Sequence, residues 1–357
     1  MAAAAACVGV ERVAARRPRA GAQRTRAAGR TPGRRRAAAR AQAMVTTADA
    51  AVAIPAHPTF DLSACVRAAL DEDAGDLGDV TTLSTIPEGR RARARFLAKD
   101  DGTLAGVGVA NEVARLVDDR LEVSWSARDG DRVSKGQVLG EWEGSARSIL
   151  VAERVALNFL QRMSGIASAA SALAERAAPA VVLDTRKTAP GLRVLDKWAV
   201  EIGGAKNHRI GLFDYLMIKD NHIAAAGGIR EALSNADAYL SERGLDLLIE
   251  VEARTMEEVD EVIALYKDHP RVSRVMLDNM VVRDPSLPGG ADVSLLAAAL
   301  ERLRDAGCTL ETEASGNVTL ETAAAIGATG VDFMSVGALT HSVAALDISL
   351  NVVLEED

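Results

Sequence analysis

Between Asp184 and His222 the chain carries seven lysines and arginines, namely Arg186, Lys187, Arg193, Lys197, Lys206, Arg209 and Lys219, against five acids, with His208 and His222 among them. The whole chain is acidic, with a formal net charge of −8. A local excess of cations in such a chain marks a pocket for a small anion; a nucleic-acid surface needs a far more basic domain. Arginine suits carboxylates because its planar fork makes two parallel charge-assisted bonds. Ion pairs with Asp184, Asp196 and Asp220 absorb two or three of these cations and leave the rest to a ligand. Further along, Glu252 and Asp278 each follow an apolar run. They offer oxygens to Mg²⁺ or to sugar hydroxyls, and magnesium needs few protein donors when a phosphate completes its shell. Ser315-Gly316-Asn317 and Ser335-Val336-Gly337-Ala338 are turns of small residues, the first leading to a helix capped by Asn317 or Thr319. Such turns admit a close backbone approach, and free N–H groups at helix starts attract phosphate.

These residues need a scaffold that brings them together. Short apolar runs end at Leu183, Ile218, Val251, Leu277, Ala314 and Val336, between 22 and 37 residues apart, which is about the length of one βα unit. The polar residues follow directly: Asp184, Arg186 and Lys187; Lys219, Asp220, Asn221 and His222; Glu252; Asp278 and Asn279; Ser315-Gly316; Gly337. A parallel α/β barrel gathers all six strand ends on its C-terminal rim, the usual place for its active site and, after the last two strands, for a phosphate.

Upstream, a helix opens at Phe60 with Asp61 as its cap, and strands follow at Ala92–Ala98, Leu104–Val107 and Leu121–Trp125. This is a small α+β domain. The turn-rich segment Asp129–Gly144 is expected to be a plain β-hairpin; the rival is a carrier hairpin displaying Lys135 for modification. From Ser145 to Ser168 the period is helical, with Ile149, Ala152, Ala156, Leu157, Phe159, Leu160 and Met163 facing inward. Arg147 and Arg154, seven apart, share a face of that helix, which by itself reads as a solvated stripe.

Of the 357 residues, 48% are hydrophobic and 26% charged, which excludes a disordered chain and a small disulfide-stapled module. No run is long and apolar enough to cross a membrane. Cys7, Cys65 and Cys308 form no Cys-x-x-Cys pair, so neither a zinc site nor a disulfide framework is expected. Residues 1–43 differ from the rest, with eleven arginines and Glu11 as their one acid. An Ala/Arg-rich, acid-poor leader matches an organelle transit peptide, read here as plastid with mitochondrion as the alternative; a basic arm for nucleic acid is the rival. The organisation expected is therefore a leader at 1–43, a linker at 44–59, an N-terminal domain with its connecting helix at 60–168, and a barrel at 169–357 whose last residues pack back on the N-terminal domain.

Together, Glu153 to Asn158, Asp184 to Arg193 (DTRKTAPGLR), Gly203 to Arg209 (GGAKNHR), Ile218 to His222 (IKDNH), Glu250 to Glu252, Glu313 to Gly316 and Ser335 to Thr340 resemble quinolinate phosphoribosyltransferase. The likeness runs in order from about Phe60 to Leu354. It implies an α/β fold, a small N-terminal α/β sandwich followed by an incomplete parallel α/β barrel. It also implies that Arg154, Arg186, Lys187, Thr188, His208, Arg209 and Lys219 hold the carboxylates and ring of quinolinate. Glu252 and Asp278 would take the ribose hydroxyls and Mg²⁺ of phosphoribosyl pyrophosphate, and Ser315, Gly316, Asn317, Ser335, Val336, Gly337 and Ala338 its phosphate. Asn317 stands where the family often has a second glycine, and the stretch between Glu252 and Asp278 is longer than usual near Tyr266 to Arg274. The implied reaction gives nicotinate mononucleotide, pyrophosphate and carbon dioxide, with Lys187 or Lys219 assisting the loss of the carboxylate. A homodimer with shared sites would bring Arg154 to the rim. The rivals are nicotinate phosphoribosyltransferase, a paralogue acting on another anion, and a non-catalytic carrier built on Lys135.

Overall fold

The computed structural model describes residues 52–354. The leader read at residues 1–43, and the first part of the linker, lie outside the described residues. Asp61 caps α1 (Leu62–Ala74), its carboxylate accepting the Ala64 N–H at 2.8 Å, and α2 (Val80–Thr85) follows. Strand β1 (Arg91–Ala98) alternates exposed and buried positions, as a half-buried antiparallel strand does. After β2 (Gly102–Thr103) the chain enters α3 (Val107–Val117). The strand expected at Leu104–Val107 is therefore a turn into a helix. Val109, Ala110, Val113 and Ala114 bury one face of it, and Asp129 accepts the Val107 N–H at 3.0 Å.

Strands β3 (Glu122–Trp125), β4 (Arg132–Val133) and β5 (Val138–Ser145) complete this part. The hairpin expected over Asp129–Gly144 does not form. The chain turns at Ser134–Gln137, but β4 pairs with β2, whereas β5 pairs with β1 and β3. The two arms of the turn thus enter different sheets, and Lys135 is held by its backbone N–H on Asp101 Oδ1, at 2.8 Å.

Helix α4 (Ala146–Ala177) runs nine residues beyond the Ser168 expected of it. All seven residues expected to face inward are buried. Its arginines do different things: Arg147 donates to Ile86 O at 2.7 and 2.9 Å, and Arg162 forks onto Asp196 at 2.8 Å twice. Beyond it come β6 (Val181–Leu183), α5 (Arg193–Ile202), β7 (Leu216–Ile218), α6 (Asp220–Ala226), α7 (Ile229–Arg243), β8 (Ile249–Ala253), α8 (Met256–Leu265) and β9 (Val272–Asp278). A short ribbon, β10 (Val282–Arg283) with β11 (Ala291–Asp292), precedes α9 (Ser294–Asp305), β12 (Glu311–Ser315), α10 (Ala323–Ala328), β13 (Phe333–Ser335) and α11 (Ala338–His341).

Six parallel strands form one sheet in the order β6, β13, β12, β9, β8, β7. Its edges are β6 and β7, so the barrel is incomplete. The final strand, β14 (Ile348–Leu354), leaves the barrel and pairs antiparallel with β1. Where α4 passes the connection to β14, a Cβ on Gly165 would lie 2.2 Å from Ala344 O, so this crossing requires glycine.

Candidate active site

Alternation along the barrel strands sorts their residues onto two faces. The register sets Glu252, Met276, Glu313 and Phe333 in one row and Asp278, Ser315 and Ser335 in the next, nearer the strand ends. The intervening Ala253, Leu277, Ala314 and Met334 are buried on the opposite face. The first face therefore carries the polar residues, with Met276 and Phe333 among them, and it leads to the rim.

Two cavities open there. The first, of about 310 Å³, is lined by Arg186, Lys187, His208, Arg209 and Lys219, with Met217 and Met276 as an apolar wall. The second, of about 460 Å³, is lined by Glu252, Asp278, Ser315, Gly316, Asn317, Ser335, Val336, Gly337 and Ala338. Thr185, Lys187, Lys219, Ser315 and Ser335 line both. A group held in one cavity thus meets a group held in the other across a shared wall.

The first cavity is electrostatically unbalanced. Burial, and then the charge of Arg186, hold the Arg209 guanidinium below its ordinary pKa, and Arg186 Nε is buried without a hydrogen-bond partner. The acids expected to form structural ion pairs do so, but they take only Lys197 of the seven cations. Lys197 Nζ lies 2.5 Å from Asp184, with both side chains fully buried, while Asp196 pairs with Arg162 and Asp220 with Arg254. Burial pushes the Asp184 carboxyl up to about 6 and the Lys197 ammonium down. Thr188 lines neither cavity; its hydroxyl accepts from Arg193 Nε at 3.1 Å.

His208 is held from several sides. Its Nε2 lies 2.9 Å from Glu250 and 3.3 Å from Glu313, and its Nδ1 lies 2.7 Å from the Arg209 N–H. Burial disfavours the imidazolium, but the two carboxylates outweigh it and raise the pKa to about 9. The Arg209 contact opposes them, because Nδ1 must keep a lone pair to accept that N–H, and an imidazolium has none to spare. With Nδ1 as the acceptor, the hydrogen sits on Nε2, facing the two glutamates.

In the second cavity Glu252 and Asp278 carry like charge. Burial and then the Asp278 charge raise the Glu252 pKa, and Lys219 Nζ reaches Glu252 at 3.8 Å. Two crowded carboxylates beside small-residue turns are a donor set that suits Mg²⁺ with a bound phosphate. Asn317 adopts φ +55°, the left-handed conformation that a glycine would take and that asparagine tolerates, and its Nδ2 donates to Val281 O at 2.8 Å. Of the two caps expected for the next helix, Thr319 takes the role and Asn317 does not: Thr319 Oγ1 accepts the Thr322 N–H at 3.4 Å and its carbonyl the Ala323 N–H at 2.9 Å, one turn before α10. The Thr322 hydroxyl donates to Asn317 O at 2.9 Å, folding residues 317–322 into a closed turn. Thr340 Oγ1 donates to Lys187 O at 2.9 Å, tying α11 to the loop after β6.

Arg154 lies elsewhere. It lines a separate cavity with Leu70, Asp71, Asp79 and Val80, and none of that lining is shared with the rim cavities. Sequence reading missed Met217, Met276 and Glu313 in the first cavity and Val318 and His341 in the second. Three of these were within reach: Met217, Met276 and Glu313 stand two residues before Lys219, Asp278 and Ser315, on the same strand face.

A parallel α/β barrel whose rim sets a cationic cavity beside an acidic one with phosphate-type turns has the build of a transferase acting on phosphorylated sugars. Models of the quinolinate phosphoribosyl transferase N-terminal and C-terminal domains match residues 79–164 and 166–351. Among curated relatives, the chloroplastic nicotinate-nucleotide pyrophosphorylase [carboxylating] of Arabidopsis thaliana is 55% identical over 299 residues, 84% of each chain. The mitochondrial quinolinate phosphoribosyltransferase [decarboxylating] 2b of Nicotiana tabacum is 55% identical over 300 residues, again 84% of each. The solved nicotinate-nucleotide pyrophosphorylase from Francisella tularensis is 35% identical, with a TM-score of 0.73, covering 85% of this chain and all of that one. The chain belongs to the quinolinate phosphoribosyltransferase family.

Proposed function

We propose that the chain transfers the phosphoribosyl group of phosphoribosyl pyrophosphate to quinolinate and decarboxylates the product, giving nicotinate mononucleotide, pyrophosphate and carbon dioxide in de novo NAD synthesis. The observation that carries this is the shared wall: a cavity with two adjacent guanidiniums and an apolar side adjoins one with two carboxylates and phosphate-type turns. A ring dicarboxylate in the first would relieve the crowding of Arg186 and Arg209, and its ring would lie against Met217 and Met276. Its nitrogen would then face the anomeric carbon of a sugar in the second.

Positive charge develops on the ribose as pyrophosphate leaves, and Glu252 and Asp278 in the second cavity would stabilise it. Ser315, Gly316, Asn317 and the Ser335–Ala338 turn would hold the phosphate. Bound Mg²⁺ would neutralise the pyrophosphate oxygens, with Glu252 and Asp278 as the residues that hold it. Lys187 and Lys219, on the wall common to both cavities, would offset the electron density left by the departing carboxylate. We assign Arg154 to the site of a partner subunit in a homodimer. The acid-poor leader, with chloroplastic and mitochondrial names among the relatives, supports an organellar location, plastid or mitochondrion.

Residues 44–357 incubated with quinolinate, phosphoribosyl pyrophosphate and Mg²⁺ should release one carbon dioxide per pyrophosphate. Turnover of nicotinate in place of quinolinate, without carbon dioxide, would overturn the reading.

A further inference from the structure

At the floor of the first cavity, which Glu313 helps to line, lies a set of buried charged groups to which the proposed chemistry assigns no work. Glu250 and Glu313 are fully buried, and both reach Nε2 of His208. Arg274 adds to them from β9: its Nη1 pairs with Glu313 at 3.0 Å, and its guanidinium lies 4.0 Å over the ring of Phe333. Each glutamate also keeps one buried oxygen, Oε1, without a hydrogen-bond partner. Such orphaned oxygens cost stability, and apolar residues of the same size are often the more stable filling for a barrel floor. The arrangement is thus poorly explained as a stabilising device.

Its outlet is the loop that carries Arg209. Nδ1 of His208 receives the Arg209 N–H at 2.7 Å. The same loop is closed by Asp214, which accepts the N–H groups of Ile210 and Gly211 at 2.7 and 2.9 Å. Arg209 Nη1 donates to Tyr215 O at 3.3 Å. The backbone of His208 is pinned too, its N–H on Asp184 and its carbonyl on Lys197, at 2.8 and 3.1 Å. Only the ring is left to choose an orientation, and the two glutamates set it.

We propose that Glu250 and Glu313 are positioning residues for quinolinate: from inside the barrel they fix the ring of His208, and through its Nδ1 they fix the backbone that presents Arg209 to the substrate. The three side chains could also be taken for a metal site, since their ligand atoms lie within 4.8 Å of one another. The tautomer excludes it. With Nδ1 accepting from Arg209, Nε2 carries the hydrogen and has no lone pair for a metal.

The proposal rests on quinolinate being the substrate, so wild-type turnover of quinolinate is measured first; its absence would refute that reading and not this one. Binding is then followed directly by calorimetry. Glu250→Leu and Glu313→Leu should each weaken quinolinate binding at least tenfold and leave phosphoribosyl pyrophosphate binding within twofold. Glu250→Gln, which keeps an acceptor for Nε2, should recover most of the loss. In an Arg209→Ala background the same leucine substitutions should add little, because the group they position is gone. Should Glu313→Leu fail to fold without its Arg274 partner, Glu250→Leu carries the test. The proposal is overturned by unchanged quinolinate affinity in a folded leucine variant, by equal loss of both ligands, or by a full effect that persists without Arg209.

Discussion

Of the seven cations between Arg186 and Lys219, Arg186, Lys187, Arg209 and Lys219 line the first cavity, and Lys197 has a different task. Lys197 is claimed by Asp184, both fully buried, and holds the backbone of His208 rather than a ligand. Removing one partner of such a pair leaves an uncompensated buried charge. Lys197→Met should therefore cost about 3–5 kcal/mol of stability, visible as a lowered thermal midpoint; an unchanged midpoint would show that Asp184 is satisfied without it. Asp278 is the converse, an acid beside another acid, and its charge raises the Glu252 pKa after burial has done so. Asp278→Asn keeps the shape and removes charge facing the ribosyl cation. Turnover should fall by roughly 10- to 100-fold, with quinolinate affinity within twofold. Loss of quinolinate affinity with turnover intact would contradict the role.

At the scale of elements, the sequence was most informative where physics leaves least choice. The runs Val181–Leu183 and Leu216–Ile218 coincide with β6 and β7, because a short unbroken apolar run bounded by polar residues is how a strand of a parallel sheet reads. Where two apolar patterns compete, the shorter one misled. Leu104–Val107 looks like a strand, but it opens α3, whose further apolar positions continue to Val117. The supposed hairpin failed because turn residues specify a reversal, not the partner of each arm, and β4 and β5 enter different sheets. Glu313 was hidden because a polar residue inside a barrel breaks the expectation of an apolar interior; only the i, i+2 relation to Ser315 could have revealed it. The phosphate turn makes a demand of its own. Gly316 has φ +91°, and a Cβ there would lie 2.3 Å from Asn279 Oδ1. Gly316→Ala should raise the KM for phosphoribosyl pyrophosphate by roughly tenfold, since left-handed strain of about 1–2 kcal/mol would displace the turn. Steady-state kinetics with each substrate varied would show it, and an equal rise for quinolinate would mean that the whole rim had moved.

At the scale of the whole molecule, Arg154 is the expected site residue that lines a cavity other than those at the rim. In a single chain Arg154 stands on α4 in a cavity beside α1 and α2 that shares no lining with the barrel rim. That cavity includes Val80, 57% exposed, with Leu77 and Leu83 close to it in sequence at 79% and 54%, and the loop after Arg209 exposes Leu212 at 73% and Phe213 at 50%. A two-fold dimer in which the N-terminal part of one subunit packed over the barrel of the other would cover both sets of apolar side chains and bring Arg154 to its partner's rim. Arg154→Ala should then weaken quinolinate binding by about one to two orders of magnitude, since a lost charge-assisted contact costs roughly 1.5–3 kcal/mol. Mixing it with Lys219→Ala discriminates further. In a dimer holding one copy of each variant, one shared site contains both defects and the other neither. Half of randomly assembled dimers are mixed and half of their sites intact, so re-equilibrated mixtures should recover up to about a quarter of wild-type activity. If mass spectrometry showed that subunits had exchanged and no activity returned, Arg154 would serve its own subunit's site or none.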